Sequence, residues 1–301
     1  MDTTRVACGQ FEARAADKDY NLDRMSGQIG EAAAAGCAVI VLPELIVSGY
    51  LAAERIPGQA EPVTGPSVRR MREAAASSGI AVVFGMAEAA DDGRLYDSLV
   101  VVGADGTVAS VYRKLHLFGA ETSWASAGHE VPVFDLGGVA ATGWICFDTR
   151  FPEQARCAAA CGAELALVPT AWLGPPAEWE LALRARAMDN SMFAAGADIV
   201  SFADGLRCRG NSMIVGPHGE VLARAEPDSD AVIWADLDPA AVAHQHQRLA
   251  LLANRRDDLF GSCTCAPATE SCCAPTPYAA GAGIPAGAPG APAQVPAAAH
   301  L

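Results

Sequence analysis

Three apolar segments of the chain each end on a side chain with chemistry to offer. Val39-Ile40-Val41-Leu42-Pro43-Glu44 puts a carboxylate after four strand-forming residues and a proline, whose missing N–H stops the ladder and leaves Glu44 at a sheet edge. Val111-Tyr112-Arg113-Lys114-Leu115-His116 sets Lys114 between one apolar run and the next, Leu117-Phe118. Gly143-Trp144-Ile145-Cys146-Phe147-Asp148 ends a strand on a thiol just ahead of Phe151-Pro152-Glu153, which reads as a helix start. Free backbone N–H groups and a positive dipole end at such a position favour a thiolate and an oxyanion.

Taken singly, each residue has a plain explanation: a buried cysteine as a small hydrophobe, a strand-end glutamate as a solvated acid, a lysine after arginine as a surface charge. Together, a carboxylate, an ammonium and a thiol are what acyl transfer to sulfur needs. Lysine is also scarce, since Lys18 and Lys114 are the two lysines among 21 bases. That scarcity raises the question whether a primary amine is required at position 114.

The elements that must position these residues follow from periodicity. Arg5 to Gln10 reads as a strand, Leu22, Met25 and Ile29 recur at helical spacing, and Val39 to Leu42 is a buried-strand run. Val68, Met71 and Ala75 mark a second helix before the strand Ile80 to Gly85. Ser98 to Val102, the turn Asp105-Gly106 and Val108 to Tyr112 form a hairpin, and Gly137-Gly138 joins Val133 to Leu136 with Val139 to Ile145. Pro152 to Cys161 reads as a helix and Leu165 to Val168 as a strand. Glu178 to Asp189 reads as a helix with Leu181, Ala185 and Met188 on one side. Ser212 to Val215 and Val221 to Ala223 flank Pro217-His218-Gly219 as a last hairpin. Helices alternating with strands and hairpins predict layered α/β packing, sheets inside and helices outside.

Composition narrows the partners. Of 301 residues, 51% are hydrophobic and 19% charged, enough to bury a sizeable core, and a net charge of −14 repels a phosphate backbone or an anionic membrane. No apolar run reaches the ~18 residues of a membrane span, and Met1 to Gln10 lacks the basic-then-apolar pattern of a signal peptide, so a cytoplasmic location is expected, with no nucleic acid and no membrane partner. Glycine-rich nucleotide motifs and the GxSxG elbow are absent. His244-Gln245-His246 is not read as a metal pair, because on a helix the two imidazoles diverge by about 200°.

The composition breaks near residue 261. Gly261 to Leu301 holds one acid, Glu270, no lysine or arginine, and seven of the 19 prolines among alanines and glycines. Such a segment buries too little to offset its ordering entropy, so residues 1–260 are read as the folded domain and 261–301 as a disordered Ala/Pro/Gly/Cys-rich tail. Cys263, Cys265, Cys272 and Cys273 stand at the start of this tail in CxC and CC pairs, which are not the CxxC pairs of a structural zinc site.

Four ordered words show a resemblance. Leu42-Pro43-Glu44 with Ser48-Gly49-Tyr50, Tyr112 to Phe118, Cys146 to Glu153, and Gly210 to Gly219 resemble the nitrilase or carbon–nitrogen hydrolase superfamily over roughly residues 4 to 260. The resemblance implies a four-layer αββα sandwich, with two central mixed sheets flanked by helices, and a catalytic Glu, Lys and Cys that map onto Glu44, Lys114 and Cys146. A second glutamate, found seven residues before a Pro-Gly in many members, maps onto Glu121 before Ala127-Gly128, the proline being absent here. A homodimer or higher homo-oligomer is likewise implied, with no metal and no organic cofactor.

In such a site Glu44 takes the Cys146 proton, and the thiolate attacks a carbonyl carbon. Lys114 and the backbone N–H of Phe147 hold the oxyanion, and ammonia leaves behind a thioester that water opens with help from Glu44 and Glu121. Arg150, Glu153 and either Arg184 or Arg186 are candidates for supporting the loop, although ordinary surface roles compete for all four. Cys146-Phe147-Asp148 sits with the amidase and carbamoylase branches, which read Cys-Tyr-Asp, and not with nitrilases, which read Cys-Trp-Glu. Leu115 to Gly119 and the pocket word Val168-Pro169-Thr170-Ala171 resemble bacterial aliphatic amidases, including those acting on ω-amino acid amides, with Trp172 as a wall of the acyl pocket or a packing residue. The expectation is therefore an amidase for a small aliphatic carboxamide. An N-carbamoyl amidohydrolase and then a nitrilase are the alternatives, and a non-catalytic binding domain is disfavoured because all three reactive residues are present.

Overall fold

The computed structural model describes residues 3–261 and, for the backbone alone, 266–267. The tail beyond them, with its cysteine pairs, lies outside the described residues. In chain order the strands and helices are β1 (Thr4–Gln10), α1 (Lys18–Ala34), β2 (Val39–Val41), α2 (Pro66–Ser78), β3 (Ala81–Ala89), β4 (Leu95–Val102), β5 (Val108–Arg113), β6 (Pro132–Asp135) and β7 (Ala140–Gly143). They continue with α3 (Pro152–Ala160), β8 (Leu165–Thr170), α4 (Pro176–Asn190), β9 (Phe193–Asp198), β10 (Val200–Ala203), β11 (Leu206–Arg209), β12 (Met213–Val215), β13 (Val221–Arg224), β14 (Ala231–Leu237) and α5 (Pro239–Leu249).

One sheet runs β14-β1-β2-β3-β4-β5, and the other runs β13-β12-β9-β8-β7-β6, with Ala266–Pro267 beside β6. Both are mixed: β1, β2 and β3 are parallel neighbours, as are β7, β8 and β9, while the flanking pairs are antiparallel. Strand alternation sorts side chains into two cores. Val6, Cys8, Val39, Val41, Val83, Leu99 and Val101 face the second sheet, whose far side takes Ala155, Ala158, Trp179 and Leu183 from α3 and α4. Ala7, Ile40, Val82, Phe84 and Val100 face Leu22, Met25 and Ile29 of α1 and Val68, Met71 and Ala75 of α2. The result is the four-layer αββα sandwich.

Helix ends obey local chemistry. The Asp17 side chain accepts from Tyr20 N at the start of α1, and proline opens α2, α3, α4 and α5, where its missing N–H costs no hydrogen bond.

The structure corrects the reading of α4. Leu181 and Met188 point to solvent, 71% and 45% exposed, and the buried stripe is Trp179, Leu183 and Ala187. Two apolar stripes compete on this helix, and the one that carries the indole hides more apolar area. Four strands also lie outside the sequence expectation: β9, β14 and the hairpin β10–β11. That hairpin turns on Asp204-Gly205, both at positive φ (53° and 77°), a turn signal of the Asp-Gly kind.

Gly85 shows how tightly the layers meet under the chemistry. A methyl at this β3 position would lie 2.5 Å from Glu44 Cα and 2.6 Å from Leu45 N, both backbone atoms that cannot rotate away. Gly85→Ala is therefore expected to lose about 1–3 kcal/mol of stability through forced backbone displacement. A denaturant midpoint equal to that of the wild type would show that the strand absorbs the methyl.

Candidate active site

Four of the expected residues converge at one end of the two sheets. Glu44 follows β2 and is wholly buried; its Oε1 accepts from Lys114 Nζ at 2.6 Å. Lys114 follows β5 and is pinned on both sides of its backbone, its N–H donating to Asp97 O (2.9 Å) and its carbonyl accepting from Gly128 N (2.9 Å). Position 128 takes no side chain, since a Cβ there would lie 2.2 Å from Arg113 O. Glu121 sits in the turn Gly119–Ser123, with Oε1 accepting from Lys114 Nζ (2.8 Å) and Oε2 from Phe118 N (2.8 Å). The third Lys114 contact is Asp97 Oδ2 at 3.2 Å, from the middle of β4.

Cys146 opens the one-turn 3₁₀ helix Cys146–Arg150 with φ +41°, a conformation that costs a non-glycine residue energy and holds its thiol out of the regular strand direction. Its Sγ lies 3.7 Å from Ala171 O and is nearly shut off from solvent.

The turn is held by Asp148. Its Oδ2 accepts from Ile145 N (3.1 Å) and Tyr112 Oη (2.6 Å), and its Oδ1 from His116 N (2.9 Å). Tyr112 Oη in turn accepts from Leu115 N (3.1 Å) and Gln154 Nε2 (3.0 Å). One buried carboxylate thus ties the cysteine turn to the residues flanking Lys114. Arg186 Nε donates to Thr149 O (3.0 Å) and Trp144 Nε1 to Thr149 Oγ1 (3.0 Å), bracing the same turn from behind.

Electrostatics give the groups distinct roles. Burial pushes the Cys146 thiol well above its ordinary pKa, the Glu44 charge adds to this, and Lys114 only partly opposes it. The resting group is a thiol and needs a base. Burial raises Glu44 as well, against the lowering pull of Lys114, which makes its carboxylate a better proton acceptor. Glu121 is raised for the same first reason. Burial disfavours the Lys114 charge, but Glu44, Asp97 and Glu121 together outweigh it and keep the ammonium protonated. One oxygen of each of these three carboxylates lies within 4.8 Å of the others, a spacing that suits a cation, and the cation they surround is Lys114 itself.

The remaining expected residues lie around these groups or farther off. Thr170 ends β8, is fully buried, and its Oγ1 has no hydrogen-bond partner among the described residues. Trp172 N donates to Asp198 Oδ1 (2.9 Å), and the indole ring lies 5.4 Å from Trp179 with the Arg150 guanidinium 4.8 Å from its centre. The Phe147 ring meets Phe118 and Phe151 at 5.1 and 5.2 Å, so the turn carries an aromatic cluster on its outer side. Arg150 pairs with Glu178. Arg184 donates to Gly219 O and does not reach the turn, so of the two arginines considered Arg186 is the brace. Exposed Glu153 makes no contact with the reactive residues but adds to the field at Arg186.

Sequence reasoning missed Asp97, Asp198 and the part played by Tyr50. An acid inside the run Leu95 to Val102 was the available signal for Asp97, as was the acid closing Phe193 to Asp198. Tyr50 belongs to a quoted word and is buried, and burial together with the charges of Glu44 and Glu121 raises its phenol.

The described carbon-nitrogen hydrolase family matches residues 5–247. The hydrolase in the pqqF 5′ region of Pseudomonas protegens is 36% identical over 264 residues, covering 86% of this chain and 92% of its own. Omega-amidase NIT2 of Homo sapiens is 33% identical over 276 residues, covering 86% and 98%. An amidase from Nesterenkonia sp. superposes with a TM-score of 0.78 at 30% identity, covering 86% of this chain and 95% of that one. A mutant of the Nesterenkonia sp. AN1 amidase carries the acetamide moiety of fluoroacetamide added covalently at its active site cysteine.

Tyr112→Phe removes a buried donor to Asp148 and leaves Leu115 N without an acceptor. The variant is expected to fold and to lose about 1–3 kcal/mol, the usual cost of orphaning buried polar groups. Equilibrium unfolding in urea measures it, and an unshifted midpoint would show that Asp148 does not depend on the phenol.

Proposed function

The chain belongs to the carbon–nitrogen hydrolase family, and on that premise we propose that it is an amidase that hydrolyses a small aliphatic carboxamide to the carboxylate and ammonia through a thioester on Cys146. The observation that carries this reading is the wholly buried Lys114 ammonium held between Glu44 and Glu121 at 2.6 and 2.8 Å, beside a cysteine held at positive φ. The names of the relatives support the amide as substrate: an omega-amidase, and an amidase from Nesterenkonia sp. AN1 solved with acrylamide and with butyramide.

Glu44 takes the thiol proton of Cys146, and the sulfur attacks the carbonyl carbon. The oxyanion is held by the positive charge of Lys114, all of whose N–H groups have carboxylate acceptors at rest, and by the N–H of Phe147. On collapse of the tetrahedral species Glu44 returns its proton to the leaving nitrogen, and ammonia departs. Water then adds to the thioester with Glu44 as base, while Glu121 keeps Lys114 in place. Thr170 and Trp172 bound the acyl group, with Arg150 and Glu178 at the rim. No step needs a metal or an organic cofactor. The catalytic unit is residues 1–260, and the enzyme works in the cytoplasm as a homodimer or higher homo-oligomer. The exposed Leu181 and Met188 of α4 are a natural contact face, and no described helix is long and apolar enough to cross a membrane.

A panel of short amides, nitriles and N-carbamoyl compounds, read out by ammonia release, tests the substrate class; carbon dioxide released with ammonia would move the reading to a carbamoyl amidohydrolase. Cys146→Ala is expected to abolish turnover with the fold intact. Cys8, Cys157 and Cys161 are expected to be dispensable by comparison, and an acyl adduct found by intact mass on a cysteine other than Cys146 would overturn the assignment. Lys114→Arg keeps the charge, but a planar fork does not fit a pocket built for a tetrahedral ammonium. Its kcat/KM is expected to fall about 100- to 1,000-fold, the usual loss for a missing oxyanion donor. Activity within about threefold of wild type would show that the ammonium is not used.

A further inference from the structure

Asp97 enters the site from β4 and has no part in the steps above. Its side chain is fully buried, its Oδ2 faces Lys114 Nζ at 3.2 Å, and one of its oxygens lies within 4.8 Å of a Glu44 oxygen. Two carboxylates hydrogen-bond only when one of them holds a proton. With Glu44, Asp97 and Glu121 all ionised, three negative charges would meet one positive charge away from water. Two oxygens, Glu44 Oε2 and Asp97 Oδ1, would also be left with no donor among the described residues.

We propose that Asp97 is a positioning residue for the amidase reaction: it stays protonated and gives its proton as a hydrogen bond to Glu44, keeping Glu44 ionised and oriented to take the thiol proton of Cys146. Of the two, Asp97 is the proton holder. Burial raises both carboxyls and Lys114 opposes it in both, but the ammonium lies 2.6 Å from Glu44 and 3.2 Å from Asp97, so Glu44 is the better compensated anion and Asp97 the group held well above the ordinary range. The groups that face it are Lys114 at the end of β5, Glu44 after β2 and Glu121 in the turn before β6, with Cys146 beyond Glu44. The Asp97 proton is not consumed. The proton that moves is the thiol's, to Glu44 and then to the departing nitrogen.

This inference rests on the amidase reading, and the two can fail separately. If the wild type hydrolyses no amide, the reading falls, while an infrared carbonyl stretch from a protonated carboxyl at neutral pH, lost in Asp97→Asn, still reports on Asp97. With an amide substrate, the acid limb of kcat/KM reports Glu44 in the free enzyme. A neutral Asp97 donating to Glu44 lowers the Glu44 pKa, so Asp97→Ala is expected to move that limb up by about one pH unit and to cut kcat/KM about 100-fold. Asp97→Asn offers an amide N–H in place of the carboxyl proton, and is expected to recover kcat/KM to within about tenfold of wild type with the limb moved by a few tenths. If Asp97 were ionised, both variants would remove a negative charge and shift the limb down; that direction, or an infrared band indifferent to Asp97→Asn, would overturn the proposal. Should Asp97→Ala not fold, Asp97→Asn and the infrared band decide it.

Discussion

A primary ammonium without access to water, set against the acidic side chains of Glu44, Asp97 and Glu121, is the interaction on which the rest of this site depends. Desolvating an ion costs several kcal/mol, and the cost is recovered only when every donor finds an acceptor at short range. Lys114 meets that condition: its three N–H groups are all taken, at 2.6, 2.8 and 3.2 Å. The same condition governs the carboxylates, which hold their charge only as far as Lys114 offsets it. The charge state of the base and the position of the cation are therefore one property of the cluster.

The sheet explains how four such groups come together. Glu44, Asp97 and Lys114 belong to or follow β2, β4 and β5 of a single sheet, and β3 between them carries Gly85, whose lack of a side chain lets Glu44 close down. Adjacent strands fix the spacing of these side chains in a way a loop would not. Cys146 comes from the second sheet, and Asp148 locks its turn to Tyr112 and His116 on either side of Lys114. The positive φ at Cys146 is paid for by these hydrogen bonds and by the Arg186 and Trp144 contacts to Thr149.

What the sequence determined by itself was local. Apolar runs with a period of two or of three to four residues marked β1, β2, β5, β8 and the helices α1 and α2. A proline or a helix signal after each run put Glu44 and Cys146 at strand ends, and the four ordered words carried the family and the fold. These readings succeed because a strand end and a helix start depend on neighbours in the chain. The tertiary structure decided whatever depends on neighbours in space. It chose the Trp179 stripe of α4 over that of Leu181 and Met188, because only one side of a helix can meet the sheet and the indole hides more apolar area. It also brought Asp97 to within 3.2 Å of Lys114, a contact between residues 17 positions apart that strand pairing creates and no pattern along the chain encodes. The choice of Arg186 over Arg184 as the brace of the cysteine turn belongs to the same class, because only the packing of α4 decides which guanidinium reaches Thr149 O.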